Sequence, residues 1–230
     1  MPGLAQSFRF AGRDLACVRS ERMIFARLSF ALGPGGALLL VGPNGSGKSS
    51  LLRLLAGLLR PAGGSLFRKG QPISEEMESH LAMVRYVGHL DAVKPALSVA
   101  ETLMFWGGFT GLGQRQAEAA AAAAMTCFGL ERLADVPGRL LSAGQKRRVN
   151  LARLLLGTSD LWLLDEPATA LDQTAVAALG MVMAEHRAHG GMVVLSTHTA
   201  VALSDAQRLD MRDFAADPLT AAHARPGNGP

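Results

Sequence analysis

The feature that most constrains this chain is a glycine-rich loop between a short apolar run and a leucine-rich run. Residues 37–42 read ALLLVG and residues 48–60 read KSSLLRLLAGLLR, which predicts a strand, a loop and a helix that Pro61 stops. The loop at residues 42–49 fits G-x-x-x-x-G-K-[ST] at every fixed position. In such a loop the backbone N–H groups point at phosphate oxygens, and the following helix adds its positive N-terminal dipole. The sequence therefore predicts an α/β protein that binds a nucleotide.

We expect phosphate contacts along the whole loop. Lys48 should reach the β- and γ-phosphates, and the Ser49 hydroxyl should bind Mg²⁺. The nucleotide-binding residues predicted in this segment are Gly42, Pro43, Asn44, Gly45, Ser46, Gly47, Lys48, Ser49 and Ser50.

Two carboxylates follow an apolar run in the second half of the chain. Residues 161–165 read LWLLD, which predicts a buried strand that ends in Asp165 and is followed by Glu166. The carboxyl ends of parallel strands meet at one edge of a sheet, where the phosphate-binding loop also lies. We therefore expect Asp165 to hold the metal ion, and Glu166 to polarise or deprotonate the attacking water.

Composition limits the classes of protein that remain. The chain has 230 residues, 49% of them hydrophobic and 18% charged, which is typical of a folded protein with one catalytic unit. Cys17 and Cys127 are far apart, as in a protein of a reducing compartment. No apolar run reaches about eighteen residues, which predicts that this chain does not span a membrane by itself. The net charge of +4 comes from scattered bases, so no nucleic-acid partner is expected.

Short apolar runs and a long helical region predict the remaining elements. Between residues 98 and 156 the pattern is helical and includes alanines at 119–124, which predicts a helical lobe inserted into the α/β core. Buried parallel strands are predicted at residues 84–88, 161–165 and 192–197.

A second phosphate-binding turn stands before a basic, leucine-rich helix. It reads Ser142-Ala143-Gly144-Gln145, and one nucleotide site has no evident use for two such turns. The segment LSAGQ at 141–145 resembles the signature loop, LSGGQ, of the ATP-binding cassette (ABC) ATPases, with alanine in place of the first glycine. The resemblance runs from about residue 13 to residue 212.

The resemblance implies the fold and its divisions. It implies a P-loop NTPase core, α/β with a mixed sheet flanked by helices, that carries an inserted α-helical lobe. A single ABC ATP-binding domain is expected over residues 1–214, with the core at 1–88 and 157–214 and the lobe at about 89–156. Residues 215–230, rich in proline, alanine and glycine, are expected to be disordered.

The resemblance also answers the question of the second turn. In this family two cassettes pack head to tail, and each ATP lies between one phosphate-binding loop and the partner's signature loop. A homodimer is therefore implied on ATP binding, with Ser142, Gly144 and Gln145 serving the partner's nucleotide. Asp172, in the loop after Glu166, is implied to contact the partner's phosphate-binding loop.

Three further site residues are carried over from the family. His198 resembles the switch histidine that senses the γ-phosphate and holds Glu166 and the water. His89 stands where the family usually has a glutamine that reaches the metal and the water. Arg19 stands where an aromatic side chain usually stacks on adenine; a guanidinium can stack on a ring face, and a surface arginine is the alternative.

Details around these motifs resemble one subfamily, the ATPase subunit of the haem exporter in bacterial cytochrome c maturation. They are LACVR before the phosphate-binding loop, Gly88-His89, the segment 94–103 and LSAGQKRRVNLAR. The resemblance implies an ABC-type ATPase, a translocase subunit that uses ATP and Mg²⁺ at the cytoplasmic face of the bacterial inner membrane. Its implied partners are integral membrane subunits, namely a haem exporter B-type permease and associated cytochrome c maturation proteins.

Other functions remain open at this point. The chain could be the subunit of another ABC exporter, or a soluble ABC-type ATPase that acts on nucleic acid or ribosomes. The soluble class usually has two fused cassettes or long insertions, whereas only about 50 residues separate His89 from Leu141. A regulator that binds ATP without hydrolysis is disfavoured by Glu166 and His198. The apolar segment 104–106 either packs the lobe or receives a partner's cytoplasmic helix.

Overall fold

The computed structural model describes residues 9–197 and 203–215. His198 and residues 216–230 of the predicted tail lie outside these ranges. The strands are β1 (Phe10–Arg19), β2 (Arg22–Leu32), β3 (Ala37–Val41), β4 (Gly63–Arg68), β5 (Gln71–Pro72), β6 (Val84–Val87), β7 (Leu161–Asp165), β8 (Met192–Ser196) and β9 (Gln207–Asp210). The α-helices are α1 (Lys48–Leu55), α2 (Met77–Met83), α3 (Val99–Phe109), α4 (Gln114–Cys127), α5 (Ala143–Ala152) and α6 (Gln173–Ala188).

The strands form two separate sheets. A parallel sheet has the order β6-β7-β8-β3-β9, and an antiparallel sheet has the order β2-β1-β4-β5. The predicted strands at 84–88, 161–165 and 192–197 are confirmed as β6, β7 and β8, and they are parallel neighbours. The predicted α/β class is therefore confirmed, with the parallel and the antiparallel strands in different sheets.

The strand order brings four strand ends to the edge of the sheet where a nucleotide would lie. Strands β6, β7, β8 and β3 are adjacent and parallel, so the segments after Val87, Asp165, Ser196 and Val41 leave the sheet at the same edge. β7 and β8 are buried at every position, as expected for central parallel strands.

Helix α1 is shorter than its leucine pattern predicts. It ends at Leu55 because Gly57 adopts a left-handed conformation with φ 73°. Leu58 N–H donates to Arg53 O, and Gly57 N–H donates to Leu54 O, which is the hydrogen-bond pattern of a Schellman C-cap. The prediction that Pro61 ends the helix is wrong, because Gly57 ends it earlier.

The helical region is confirmed between residues 98 and 156, where α3, α4 and α5 pack together. Ser98 begins α3 with a capping box, since its hydroxyl accepts from Glu101 N–H and the Glu101 carboxylate accepts from Ser98 N–H. Apolar residues of these helices join those of β7, β8 and α6 in one buried cluster. The helices are thereby fixed against one face of the parallel sheet.

In the part of the chain that the structure describes, no helix is both long and apolar enough to cross a membrane.

A partly buried histidine should make stability depend on pH. Burial lowers the pKa of His186, whose ring stacks on Trp162, to about 4. Because the unfolded pKa is about 6.5, the unfolded chain binds the extra proton between about pH 4 and 6.5. The free energy of unfolding should therefore fall as pH falls through this window, by about 1–2 kcal/mol once partial exposure is allowed for. In urea titrations, the free energy of unfolding of His186→Phe should fall less over this pH window than that of the wild type. An equal fall in both proteins contradicts the assignment to His186.

Candidate functional site

A cleft of about 760 Å³ opens at the carboxyl edge of the parallel sheet. It brings together residues that are far apart in the sequence but close at the strand ends. Its lining consists of Arg19, Ser20, Ile24, Asn44, Gly45, Gly47, Lys48, Ser49, Ser50, His89, Asp165, Glu166 and Thr169. Most of the residues predicted from the phosphate-binding loop therefore line one cleft with the predicted carboxylates.

The glycines of the loop have conformations that other residues adopt only with strain. Gly42, Gly45 and Gly47 have φ of 136°, 79° and 100°. A side chain at Gly47 would also collide with the antiparallel sheet, since its Cβ would lie 2.6 Å from Ile24 Cγ2. The loop therefore depends on glycine for its curvature and for its packing on β2.

Lys48 begins α1 and points back along the loop. Its ammonium donates to Gly42 O at 2.8 Å and to Pro43 O at 3.0 Å, and only 8% of the residue is exposed. These bonds hold the positive charge over the cradle of the loop. A charge in this position can bind a phosphate without reorganising the chain.

Asp165 is 2% exposed and ends β7 at the floor of the cleft. Its Oδ1 accepts a hydrogen bond of 2.7 Å from Ser196 Oγ, at the end of β8. Its Oδ2 and the Ser46 hydroxyl are buried without a hydrogen-bond partner among the described residues. A buried carboxylate oxygen without a donor fits a hard cation, because oxygen is the ligand that Mg²⁺ prefers.

Glu166 has a strained backbone. Its φ is 47°, in the left-handed region that costs a non-glycine residue about 1–3 kcal/mol. Its N–H donates to Ser196 O at 3.0 Å, and its own carbonyl accepts from Arg147 at 2.7 Å. Backbone contacts on two sides therefore fix this conformation, with the side chain in the cleft.

Arg147 is a site residue that the sequence analysis missed. It lies on α5 and is only 3% exposed, and every N–H of its guanidinium is used. Its acceptors are Pro167 O at 3.1 Å, Gly88 O at 2.8 Å, Asp91 Oδ1 at 3.2 Å, Asp165 O at 2.8 Å and Glu166 O at 2.7 Å. One side chain of the helical region thus holds the backbone of the carboxylate pair and of the residue after it.

Replacing Arg147 with methionine should lower both stability and hydrolysis. Methionine keeps most of the apolar stem but leaves buried carbonyls without a donor, so unfolding should cost about 2–4 kcal/mol less. Hydrolysis per bound ATP should fall about tenfold, because the Glu166 peptide loses a contact that fixes it. Urea unfolding and steady-state kinetics measure these effects. Arg148→Met is the control, since among the described residues the Arg148 side chain donates only to Phe128 O at 3.3 Å and Gly129 O at 3.4 Å; equal effects of both substitutions contradict the assignment.

The second predicted phosphate-binding turn begins α5 but does not line the cleft. The Ser142 hydroxyl accepts from Gln145 N–H at 3.2 Å, and Gln145 Oε1 accepts from Ser142 N–H at 2.8 Å. This capping box makes an exposed, preformed helix N-terminus. The structure therefore separates the two predicted phosphate-binding turns within one chain.

The two small residues of this turn differ in their surroundings. A Cβ at Gly144 would lie 2.7 Å from Ala170 O, so this position requires glycine. Ala143 is exposed. The contrast explains why alanine is tolerated at the third position of the LSAGQ segment whereas glycine is present at the fourth.

The remaining predicted residues fall in different places. His89 and Arg19 are exposed and line the cleft. Asp172 is the N-cap of α6, where its Oδ1 accepts from Ala175 N–H at 2.8 Å. The role predicted for His198 concerns a residue outside the described part of the chain.

Comparisons with known proteins agree with the fold and with the motifs. The sequence profile of a family described as ABC transporter matches residues 25–169. A cytochrome c biogenesis ATP-binding export protein from Paramagnetospirillum magneticum is 57% identical over 206 residues, which cover 90% of this chain and 95% of the relative. A protein of the same description from Rhodospirillum rubrum is 56% identical over 213 residues, covering 93% of this chain and 90% of the relative.

The fold of the chain is also similar to that of solved ABC transporter subunits. One described as the ATP-binding subunit of an ABC transporter superposes with a TM-score of 0.75 at 27% identity. The match covers 82% of this chain and 79% of that structure.

Proposed function

Since this chain belongs to the ABC transporter family, we propose that it is the ATP-hydrolysing subunit of an export complex for cytochrome c biogenesis. Relatives with 56–57% identity over at least nine-tenths of this chain are named for that process. The observation that carries the proposal is the arrangement of its two phosphate-binding turns. One lines the cleft together with both carboxylates, while the other is exposed outside it.

This arrangement supports a site shared by two copies of the chain. A cleft of about 760 Å³ that is open to solvent needs a cover to exclude water from the reaction. The exposed N-terminus of α5 offers backbone N–H groups and a positive dipole end. Ser142, Gly144 and Gln145 of one copy cover the terminal phosphate on the other, and Asp172 lies at the same interface. ATP thus joins the two copies, and cleavage of its terminal phosphate removes the charge that holds them.

The residues of the cleft fit ATP with Mg²⁺. Lys48 and backbone N–H groups of the loop, which Pro43 alone lacks, would hold the phosphates, and Ser49 and Asp165 would hold the metal ion. The buried Oδ2 of Asp165, which lacks a donor among the described residues, is the observation that supports the metal. Bound Mg²⁺ neutralises charge that develops on the phosphate oxygens.

Hydrolysis then requires a base and groups that position the water. Glu166 accepts the proton of the attacking water, and its fixed backbone keeps the carboxylate in the cleft. His89 lines the same cleft and can donate a hydrogen bond to the water or to a phosphate oxygen. His198 is proposed to hold the terminal phosphate and Glu166, and Arg19 to stack on the adenine ring.

The proposed partners are the membrane subunits of the exporter, a B-type permease and associated maturation proteins, at the cytoplasmic face of the inner membrane. Support comes from apolar side chains of α3 that are exposed in the described part of the chain, since Phe105 is 36% exposed and Phe109 is 73% exposed. The alternative in which 104–106 only pack the lobe fits Met104 and Trp106, which are partly buried against the apolar cluster. Phe105 and Phe109 remain available to a partner.

A complementation experiment tests the proposed process. In a bacterium that lacks its own relative of this chain, the wild-type chain should restore c-type cytochromes, detected by haem staining. The Glu166→Gln variant should accumulate to the same level without restoring them. Failure of the wild-type chain in a strain where its membrane partners are also supplied contradicts the role in cytochrome c biogenesis and leaves the ATPase assignment standing.

A further inference from the structure

Strand β8 is apolar except at its last residue, Ser196. Residues 192–195 are methionine, valine, valine and leucine, whereas Ser196 carries a hydroxyl and is 0% exposed. Ser196 lies in register with Leu40 of β3 on one side and with Asp165 of β7 on the other. A polar side chain is rarely buried so completely unless its hydrogen bonds are satisfied. The hydroxyl therefore lies between the strand that leads to the phosphate-binding loop and the strand that ends at the carboxylates.

The hydroxyl of Ser196 bonds to both residues of the carboxylate pair. Ser196 Oγ donates to Asp165 Oδ1 at 2.7 Å and accepts from Glu166 N–H at 3.3 Å. An ionised carboxylate only accepts and a backbone N–H only donates, so the hydroxyl hydrogen has to point at Asp165. The Glu166 N–H also donates to the carbonyl of Ser196 at 3.0 Å. One serine thus contacts both members of the pair, and its bond to Asp165 cannot reverse.

The bond from Ser196 leaves the Asp165 carboxylate with one free oxygen. Its Oδ1 is occupied, whereas its Oδ2 is buried without a hydrogen-bond partner among the described residues. The backbone of Asp165 is fixed as well, since its carbonyl accepts from Arg147 at 2.8 Å. Backbone and side chain are therefore both oriented by neighbouring residues, and Oδ2 is the oxygen that a cation can bind.

A carboxylate with one free oxygen suits Mg²⁺ better than Ca²⁺. Mg²⁺ requires nearly ideal octahedral geometry at about 2.0–2.1 Å, which a carboxylate satisfies through a single oxygen. Ca²⁺ accepts about 6–8 oxygens at about 2.3–2.6 Å and readily takes both oxygens of one carboxylate. The hydrogen bond on Asp165 Oδ1 opposes this second mode, because the carboxylate would have to rotate away from Ser196. The serine therefore disfavours the larger cation.

We propose that Ser196 is a positioning residue that restricts Asp165 to one oxygen as a metal ligand and thereby makes the site selective for Mg²⁺ over Ca²⁺. This inference rests on the proposed function, because it requires that Asp165 hold the metal ion of bound ATP. Ser196 does not line the cleft and acts only through the carboxylate pair. Its effect on Glu166 is the smaller one, since the Glu166 N–H keeps the Ser196 carbonyl as an acceptor.

Nucleotide binding with different cations tests the proposal on the full chain. Equilibrium titration gives the dissociation constant of a fluorescent ATP analogue in saturating Mg²⁺, in saturating Ca²⁺ and in EDTA. Ser196→Ala should raise the constant of the Mg²⁺ complex about tenfold or more, the loss that is typical when a residue that orients a metal ligand is removed. The constants of the Ca²⁺ complex and of the metal-free analogue should change less than about threefold, because neither depends on a single oriented oxygen.

Two further variants separate the orientation of Asp165 from a loss of packing. Ser196→Thr keeps a hydroxyl at the same position and should bind the Mg²⁺ complex more tightly than Ser196→Ala does. Thr102→Val removes a different buried hydroxyl, which lies on α3 outside the cleft, and should leave all three constants unchanged. Thermal midpoints report whether each variant is folded. If the added methyl group of threonine prevents folding, the comparison of Ser196→Ala with Thr102→Val decides alone.

Hydrolysis provides a second readout of the same effect. In Ser196→Ala the Mg²⁺ concentration that gives half-maximal hydrolysis should rise about tenfold or more. The maximal rate should fall by a smaller factor, because the peptide of Glu166 keeps its bonds to the Ser196 carbonyl and to Arg147. A maximal rate that falls while the Mg²⁺ requirement is unchanged would place the effect of Ser196 on Glu166 and overturn the inference.

Three binding results also overturn the inference. They are equal binding of the Mg²⁺ complex by wild type and a folded Ser196→Ala, loss of the Mg²⁺ and Ca²⁺ complexes by the same factor, and a wild type that binds both complexes equally. A folded Ser196→Thr that binds like Ser196→Ala has the same meaning. Each of these results leaves the proposed function standing. A wild-type chain that binds no ATP analogue under any of the three conditions contradicts the proposed function and this inference together.

Discussion

Replacing Glu166 with glutamine should lower ATP hydrolysis by roughly 10² to 10⁴, the range for loss of a general base, while ATP remains bound. Glutamine has nearly the same shape as glutamate and can keep the strained backbone at this position, with its bonds to Ser196 and Arg147. Nucleotide contacts from the phosphate-binding loop are unchanged. Because the terminal phosphate is no longer removed, two copies should stay joined, and light scattering with Mg²⁺-ATP should give the mass of a dimer.

The control for this result is Glu75→Gln, which neutralises an exposed glutamate that does not line the cleft. It should hydrolyse ATP at the wild-type rate and should not accumulate as a dimer. A Glu166→Gln protein that hydrolyses ATP within about threefold of wild type would remove Glu166 from the role of base.

Replacing Lys48 with alanine should weaken ATP binding by about a hundredfold or more, because two or more charge-assisted hydrogen bonds to phosphate are lost. The substitution also removes the bonds from Lys48 to Gly42 O and Pro43 O, which hold the loop in its cradle. Equilibrium titration with a fluorescent ATP analogue measures the dissociation constant.

Lys69→Ala is the matched control, since Lys69 is exposed and does not line the cleft. It should bind the analogue as wild type does. If Lys48→Ala and Lys69→Ala bind equally well, the ammonium of Lys48 does not contact the phosphates.

The parallel sheet could be predicted because each of its central strands is an uninterrupted apolar run. The antiparallel sheet could not. Its first two strands pair with register shifts near Leu15 and Cys17, and Asp14 and Arg27 adopt positive φ. Such irregularities break the alternation of apolar and polar residues by which a half-buried strand is identified.

The candidate site likewise contains some residues that the sequence predicts and others that only the fold identifies. Motif spacing identified the phosphate-binding loop and the carboxylates, because each lies at a strand end and their order along the chain is diagnostic. Arg147 gave no such signal, since it is one of two adjacent arginines on a helix. The fold buries Arg147 against the strand ends and leaves Arg148, the next residue around α5, partly exposed. That difference depends on how the helix packs on the sheet, which local sequence does not encode.

The capping box of α5 illustrates what a local signal can and cannot give. Ser142 and Gln145 predict a helix N-terminus from spacing alone. Only the structure establishes that this N-terminus is exposed and outside the cleft of its own chain. The proposal that two copies share each nucleotide site rests on that separation.

The central claim, that each ATP is bound by two copies of the chain, is tested most directly by a crystal structure of Glu166→Gln with Mg²⁺-ATP. The account predicts a head-to-tail dimer in which the Ser142 hydroxyl and the Gly144 N–H of one protomer donate to terminal phosphate oxygens held by its partner's Lys48. A structure in which these groups lie far from every terminal phosphate, with ATP bound by one chain alone, would contradict it.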